Sequence, residues 1–259
     1  MRNLNKLKVK PRSDLDVLSA INKNIQTVHI CTPDQSETLD TVKRFLARNK
    51  QAELTLEFMN PNELNYGEFE SLETLERLTL HHLSNVNVRG IFKALPPLAA
   101  FRANDINMSR EMIEELLSQM ENWPRLEVLG IENVEFQEQE PWVRLAKILS
   151  SEAKSCLRKL YIGKNHISEQ TLASIFELLS SCIKVDFIDL TSMKNLQDWD
   201  FQKVLEAIGK FFEGGRRPAP LTILFSKYYF TYFKDLDIDD AIKETQNIST
   251  QLFFKVIDE

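Results

Sequence analysis

Apolar residues in the middle of the chain recur in two rhythms that follow one another. Leu157, Leu160, Ile162, Asn165 and Ile167 fall in the spacing L-x-x-L-x-L-x-x-N-x-L, with isoleucine in two of the leucine places. Side chains alternate between the faces of a strand, so Leu160 and Ile162 point inward while Lys159, Tyr161 and Gly163 point outward. Asn165 falls where the chain leaves the strand, and a buried amide there can bond backbone groups that the turn leaves unpaired. Ser168 is a natural N-cap. Leu172, Ile175, Phe176 and Leu179 then repeat at i, i+3, i+4 and i+7, which predicts a helix from Ser168 to about Cys182 with one buried face. One such unit cannot cover its own apolar face, so the pattern predicts neighbours stacked on both sides.

Those neighbours can be traced in the sequence. A first strand at Ile25–Ile30 precedes a helix over about 36–49 that buries Leu39, Val42 and Leu46. A second unit keeps Leu54 and Leu56 but offers only a short polar segment through Asn60, Pro61 and Asn62. The third carries Leu75, Leu78 and Leu80, then a helix with Ile91, Phe92 and Leu95. The fourth carries Leu98, Phe101 and Ala103, then a helix from Ser109 with Ile113, Leu116, Leu117 and Met120. The fifth has Leu126, Leu129 and Ile131, and Pro141 suits the first turn of a helix that buries Leu145, Ile148 and Leu149. The stretch from Leu157 is the sixth. The seventh has Val185, Ile188 and Leu190, with Asp200 capping a helix through Val204, Leu205, Ile208 and Phe212. Equivalent positions lie about 23 to 31 residues apart, a repeat period.

Regularity fails after the Gly214–Pro220 loop. An eighth strand lies within Leu221–Ser226 in one of two registers: either Leu224 and Ser226 point inward, or Ile223 and Phe225 do. The aromatic run Tyr228–Phe233, a short helix near 238–242 and a strand-like Leu252–Ile257 read as a cap over the last core layer. At the other end, a short helix over Ser13–Ala20 suits the cap that repeat arrays require. The expected organisation is an N-terminal tail and cap over 1–24, about seven or eight repeats over 25–226, and a C-terminal cap over 227–259.

Units of this length with a helix after each strand resemble the ribonuclease-inhibitor class of leucine-rich repeats, from about Ile25 to Ser226. The resemblance implies an α/β, right-handed leucine-rich-repeat solenoid: a horseshoe with a parallel concave sheet, convex helices and a protein partner held in the concavity. Only the Leu157–Ile167 unit matches the motif strictly. The turn position of Asn165 holds Pro33, Met59, Leu83, Ile106, Val134 and Met193 in the other units, so an irregular array is expected. One branch of this class activates the GTPase Ran, yet Arg102 and Asn104 on one strand are the only hint of such an activity. Similar arrays serve as sensor modules in immune nucleotide-binding receptors; with no phosphate-binding domain expected in this sequence, the resemblance implies at most such a module standing alone.

Composition narrows the chemistry. A net charge of −6 argues against general affinity for nucleic acid. The start is locally basic, with Arg2, Lys6, Lys8, Lys10 and Arg12 ahead of Asp14. It reads as a frayed, solvated terminus, or alternatively as a basic targeting or phosphate-binding tail. No apolar run follows it as in a signal peptide, and no window is suited to crossing a membrane. With only 7 glycines, glycine-rich phosphate loops are not expected. The 3 cysteines, Cys31, Cys156 and Cys182, lack paired spacing and read as reduced thiols of a cytoplasmic protein. His29 and Cys31 share the outward side of the first strand, the one Cys/His pair with plausible geometry for nucleophilic catalysis. The adjacent His81 and His82 point to opposite sides, which disfavours a shared metal. The expectation is a non-enzyme with no catalytic, cofactor or metal site, no small-molecule substrate, no nucleic acid and no membrane partner.

What remains is the outward face of the strands. It carries Thr27, His29 and Cys31; Glu53, Thr55 and Glu57; Arg77, Thr79 and His81; Ala100, Arg102 and Asn104; Val128, Gly130 and Glu132; Lys159, Tyr161 and Gly163; Phe187, Asp189 and Thr191. A lining of mixed charge suits a specific protein partner. The expected contacts are Arg77, Arg102, Lys159, Tyr161, Phe187 and Asp189, with the aromatic pair as candidate hot spots. The sequence therefore reads as an interaction scaffold or adaptor. The alternative is a regulator of an enzyme, GTPase-activator-like or a ubiquitin-ligase substrate receptor. A narrower variant is a bacterial effector that mimics eukaryotic repeats.

Overall fold

The computed structural model describes residues 6–9, 27–31, 44, 48, 53–57, 75–81, 92–93, 95–134, 136, 138–151, 156–194, 201–212, 220–226 and 252–257. The chain divides into two compact units, Met1–Leu126 and Glu127–Glu259.

In the first unit, strands β1 (Lys6–Val9), β2 (Thr27–Cys31), β3 (Glu53–Glu57), β4 (Arg77–His81) and β5 (Ala100–Asn104) pair in sequence order, each parallel to the next. The register aligns the apolar positions across the strands: Val28 with Leu54, Leu78 and Phe101, and Ile30 with Leu56, Leu80 and Ala103. Leu78, Leu80, Phe101 and Ala103 are fully buried. Phe101 meets Phe92 edge-on at 6.2 Å and Trp123 at 5.5 Å, the offset arrangements that aromatic quadrupoles favour. Helix α1 (Arg110–Glu121) starts where the sequence places its cap, with Ser109 Oγ accepting the Met112 N–H at 3.3 Å. It buries Met112, Ile113, Leu116, Leu117 and Met120.

The second unit alternates β6 (Val128–Glu132), α2 (Glu140–Ser150), β7 (Lys159–Tyr161), α3 (Glu169–Leu179), β8 (Phe187–Asp189), α4 (Phe201–Phe212), β9 (Leu221–Ser226) and β10 (Leu252–Ile257). Its strands are again parallel in sequence order. Leu129, Leu160, Ile188 and Ile223 occupy one row and are buried. That row settles the register of β9: Ile223 and Phe225 point inward, because Ile223 pairs with Ile188. Pro141 sits in the first turn of α2, and Ser168 caps α3 by accepting the Thr171 N–H at 3.2 Å.

Bonds between successive repeats tie the helices together. Gln139 Oε1 accepts the Ser168 N–H at 2.8 Å, and Cys182 Sγ donates to the Leu149 carbonyl at 3.2 Å. Lys203 on α4 pairs with Glu169 on α3 at 3.2 Å.

The turns after the strands share one backbone feature. Asp105, Asn133, Lys164 and Ser192 all have positive φ, between 50° and 60°. The following residues, Ile106, Val134, Asn165 and Met193, are all buried. Three of these four are apolar and simply pack. Asn165 instead bonds: its Oδ1 accepts the Val134 N–H at 2.8 Å, and its Nδ2 donates to the carbonyls of Ile131, Ile162 (2.8 Å) and Gly163 (3.0 Å). The amide thus satisfies its own turn and the one before it.

Several expectations need correction. The helix drawn to about Cys182 stops at Leu179, with the Ser180 N–H closing on the Glu177 carbonyl at 3.3 Å. The basic stretch read as a frayed terminus contains β1, paired with β2 over Lys6–Val9. Leu252–Ile257 is a strand, as its sequence suggests, but it continues the parallel sheet in register with β9. Phe92 and Leu95 are both buried and joined by one turn. The cap helix at 13–20, the convex segment at 60–62, the Asp200 cap, the 228–233 run and the 238–242 helix lie outside the described residues. So does the helix at 36–49, except for Arg44 and Arg48, which are helical and exposed.

Candidate interaction surface

Opposite each buried row of the sheet lies an outward row, and the strand pairing fixes its members. In the second unit one outward row runs Val128, Lys159, Phe187, Thr222, Phe253, and the next runs Gly130, Tyr161, Asp189, Leu224, Lys255. Lys159, Phe253 and Lys255 are exposed, whereas Tyr161, Phe187, Thr222, Asp189 and Leu224 are half-buried. The Tyr161 and Phe187 rings lie one strand apart and pack against each other, centroids 5.2 Å apart and tilted by 45°. Phe253 is 55% exposed, among the most accessible large apolar side chains described.

Small outward residues do not reach solvent. Gly130, Gly163, Thr79 and Thr191 are buried, contrary to their expected exposure. Alternation decides which way a side chain points, not how tall its neighbours stand over it. Gly163 is also closed in by backbone: a Cβ there would lie 2.5 Å from the Thr191 carbonyl oxygen. That close approach accompanies the bond from the Lys164 N–H to the same oxygen, at 2.8 Å.

Asp189 is turned toward its own strand end. Its Oδ1 accepts the Thr191 N–H at 2.9 Å and the Thr191 hydroxyl at 2.7 Å. At the start of the strands, the exposed Arg158 guanidinium bonds the Asp186 carboxylate at 2.7 Å and 3.1 Å. The hydrogen bond and the charge of Asp186 raise the Arg158 pKa above its ordinary value.

No protein-family model matches this chain, and no curated protein does. Among solved structures it is similar to the leucine-rich repeat-containing protein LegL7 from Legionella pneumophila. The TM-score is 0.55 at 14% identity, over 97% of this chain and 91% of that one. The chain has a leucine-rich-repeat fold. Lower similarity links it to an internalin, InlF, from Listeria monocytogenes (TM-score 0.41, 15% identity, 87% of this chain and 68% of that one). A chain of the Drosophila Toll–Spätzle complex scores 0.40 at 10% identity, over 85% of this chain and 32% of that one.

On the leucine-rich-repeat sheet, the expected contact residues fall into two sets. Lys159, Tyr161, Phe187 and Asp189 share the outward rows of the second unit. Arg77 and Arg102 belong to the first unit, on adjacent strands, at neighbouring positions of the outward face. Both arginines are half-buried, as is Asn104 beside Arg102. There, Lys6 and Lys8 of β1 occupy register positions beside Thr27 and His29. His29 and Cys31 sit at alternate positions of β2, with side chains outside the described residues.

Sequence reasoning missed Leu224, Phe253 and Lys255, which extend the outward rows by two strands. The alternation in Leu252–Ile257 was the available signal, since Phe253 and Lys255 share one face of that strand. Among the described residues, no three His, Cys, Asp or Glu side chains cluster as metal ligands do. Among those residues, too, no helix is long and apolar enough to cross a membrane.

Proposed function

We propose that the chain is a non-enzymatic protein-interaction scaffold that holds a protein partner on the outward, concave face of its leucine-rich-repeat sheet. Binding centres on Lys159, Tyr161, Phe187 and Asp189, with Arg77 and Arg102 as a second patch on the first unit. The observation that carries the reading is the Tyr161–Phe187 pair. Two aromatic rings lie against each other on the face opposite the core, on strands fixed by the buried rows behind them. Rings held this way lose little freedom when a partner covers them, and they offer area to desolvate. Asp189, already committed to Thr191, serves to hold the strand end as much as to meet a partner. Cys156 and Cys182, neither of them in a disulfide, suit a reducing, cytoplasmic setting.

Affinity capture with the full chain tests the reading. Tyr161→Ala with Phe187→Ala should weaken the captured partner by about 2 kcal/mol or more. Glu177→Ala on α3 and Lys147→Ala on α2, both exposed on the helices, should leave capture unchanged. The reverse pattern would move binding to the helical face and overturn the proposal.

A further inference from the structure

The outward rows of β7 to β10 carry more chemistry than an aromatic pair. Tyr161, Phe187, Leu224 and Phe253 make up an apolar strip that crosses four strands, and an exposed lysine stands at each end, Lys159 on β7 and Lys255 on β10. Among the described residues neither lysine is paired with a carboxylate. Among the described strand residues of the second unit, two carboxylates share this face. Asp189 is engaged by Thr191, and Glu132 lies at the far end of β6. The chain as a whole carries a net charge of −6, so two unpaired lysines bracketing an apolar strip stand out against their background.

We infer that this strip docks a short acidic segment of a partner protein, with an apolar anchor residue between two carboxylates. The inference rests on the proposed strand-face binding and adds the partner's chemistry to it. The anchor covers the Phe187, Leu224 and Phe253 side chains, and the flanking carboxylates meet Lys159 and Lys255. Strand geometry fixes the spacing. Parallel strands lie about 4.8 Å apart and rise about 3.3 Å per residue, so the two lysines stand on Cα positions about 16 Å apart. In an extended peptide, residues four apart share one face and stand about 13 Å from each other, within reach of two long lysine side chains on such positions. The expected segment is therefore acid, spacer, apolar residue, spacer, acid. Charges of this kind set orientation and speed the encounter, while the buried apolar anchor slows release.

A phage-displayed library of random peptides, panned on the full-length chain, tests the inference. Selected peptides are expected to share an apolar residue flanked on both sides by Asp or Glu. Their affinity, measured by fluorescence polarisation, should fall with added salt and drop at least about tenfold when Lys159→Glu and Lys255→Glu are combined. Panning the doubly reversed chain should return basic flanks instead. Melting temperatures of the variants confirm folding, since both lysines are exposed. If binders lose affinity with Tyr161→Ala and Phe187→Ala but show no acidic enrichment, the acidic-segment inference fails and the strand-face proposal stands. Binders indifferent to both sets of variants overturn both. If no binder emerges and the chain instead forms a dimer that Phe253→Ser dissociates, the strip is a contact between copies of this chain. If no binder and no dimer are found, the strip takes no linear segment, and the inference is equally overturned.

Discussion

Leu160 and Tyr161 are adjacent on β7, yet they live under different constraints. Leu160 is 1% exposed in a row with Leu129, Ile188 and Ile223, so its volume is set by the core it shares with the two neighbouring strands. Tyr161 is half-buried, leans on Phe187 and faces away from that core. The difference teaches where selection for folding acts and where it leaves room. Inward positions are confined to apolar residues of the right size. Outward positions can change chemistry at little cost to the fold, so aromatics placed there call for another explanation.

Mutations can break this contrast, and the largest effect is expected on the inward side. Leu160→Ala should destabilise the chain by about 2–5 kcal/mol through lost transfer energy and the cavity left behind. Denaturant titration checks this; a loss as small as that from an outward substitution would erase the contrast. Asn165→Ala should cost about 1–3 kcal/mol, because the Val134 N–H and the Ile131 carbonyl lose a buried partner. An unchanged melting temperature would show that water replaces the amide.

Smaller effects sharpen the outward side. Tyr161→Ala combined with Phe187→Ala should cost about 0.5–1.5 kcal/mol of stability, the scale of losing one aromatic pair, while weakening the captured partner by about 2 kcal/mol or more. A large drop in melting temperature would instead make the pair a piece of the fold. Arg158→Ala should be the mildest change. Its bond to Asp186 is short but lies in solvent, where ion pairs add little. A melting temperature indistinguishable from wild type is expected, at low and at high salt.

The inward side was legible in the sequence for a simple reason. Leu129 and Ile131, Leu160 and Ile162, or Ile188 and Leu190 are two residues apart, and a strand turns that spacing directly into a shared face. The Ser109 and Ser168 caps were legible because capping depends on one residue and its local backbone. Depth was not legible. Gly163 and Thr191 point outward, but whether they meet solvent depends on a neighbouring strand about 28 residues away. The register of β9 hung on its pairing with Ile188, still more remote in sequence. Phe253 and Lys255 escaped the candidate site because the stretch before them breaks the repeat spacing. The stretch read as strand-like within a cap, and the periodicity gave no reason to count β10 with the repeat strands. Lys6–Val9 was overlooked as a strand because alternating lysines resemble a solvated tail, although on an edge strand such lysines also discourage pairing with other chains.

The double duty of Asn165 has a consequence for the order in which the molecule is made. The Val134 N–H finds its acceptor 31 residues further along the chain. A ribosome adds about 5–20 residues per second, so the turn after β6 stays incomplete for about 2–6 seconds after its own residues have been joined. The repeat that ends at Val134 is finished by its successor. A nascent chain halted between Val134 and Asn165 would present an open turn and an uncovered core edge, and that interval is when a chaperone has most to bind.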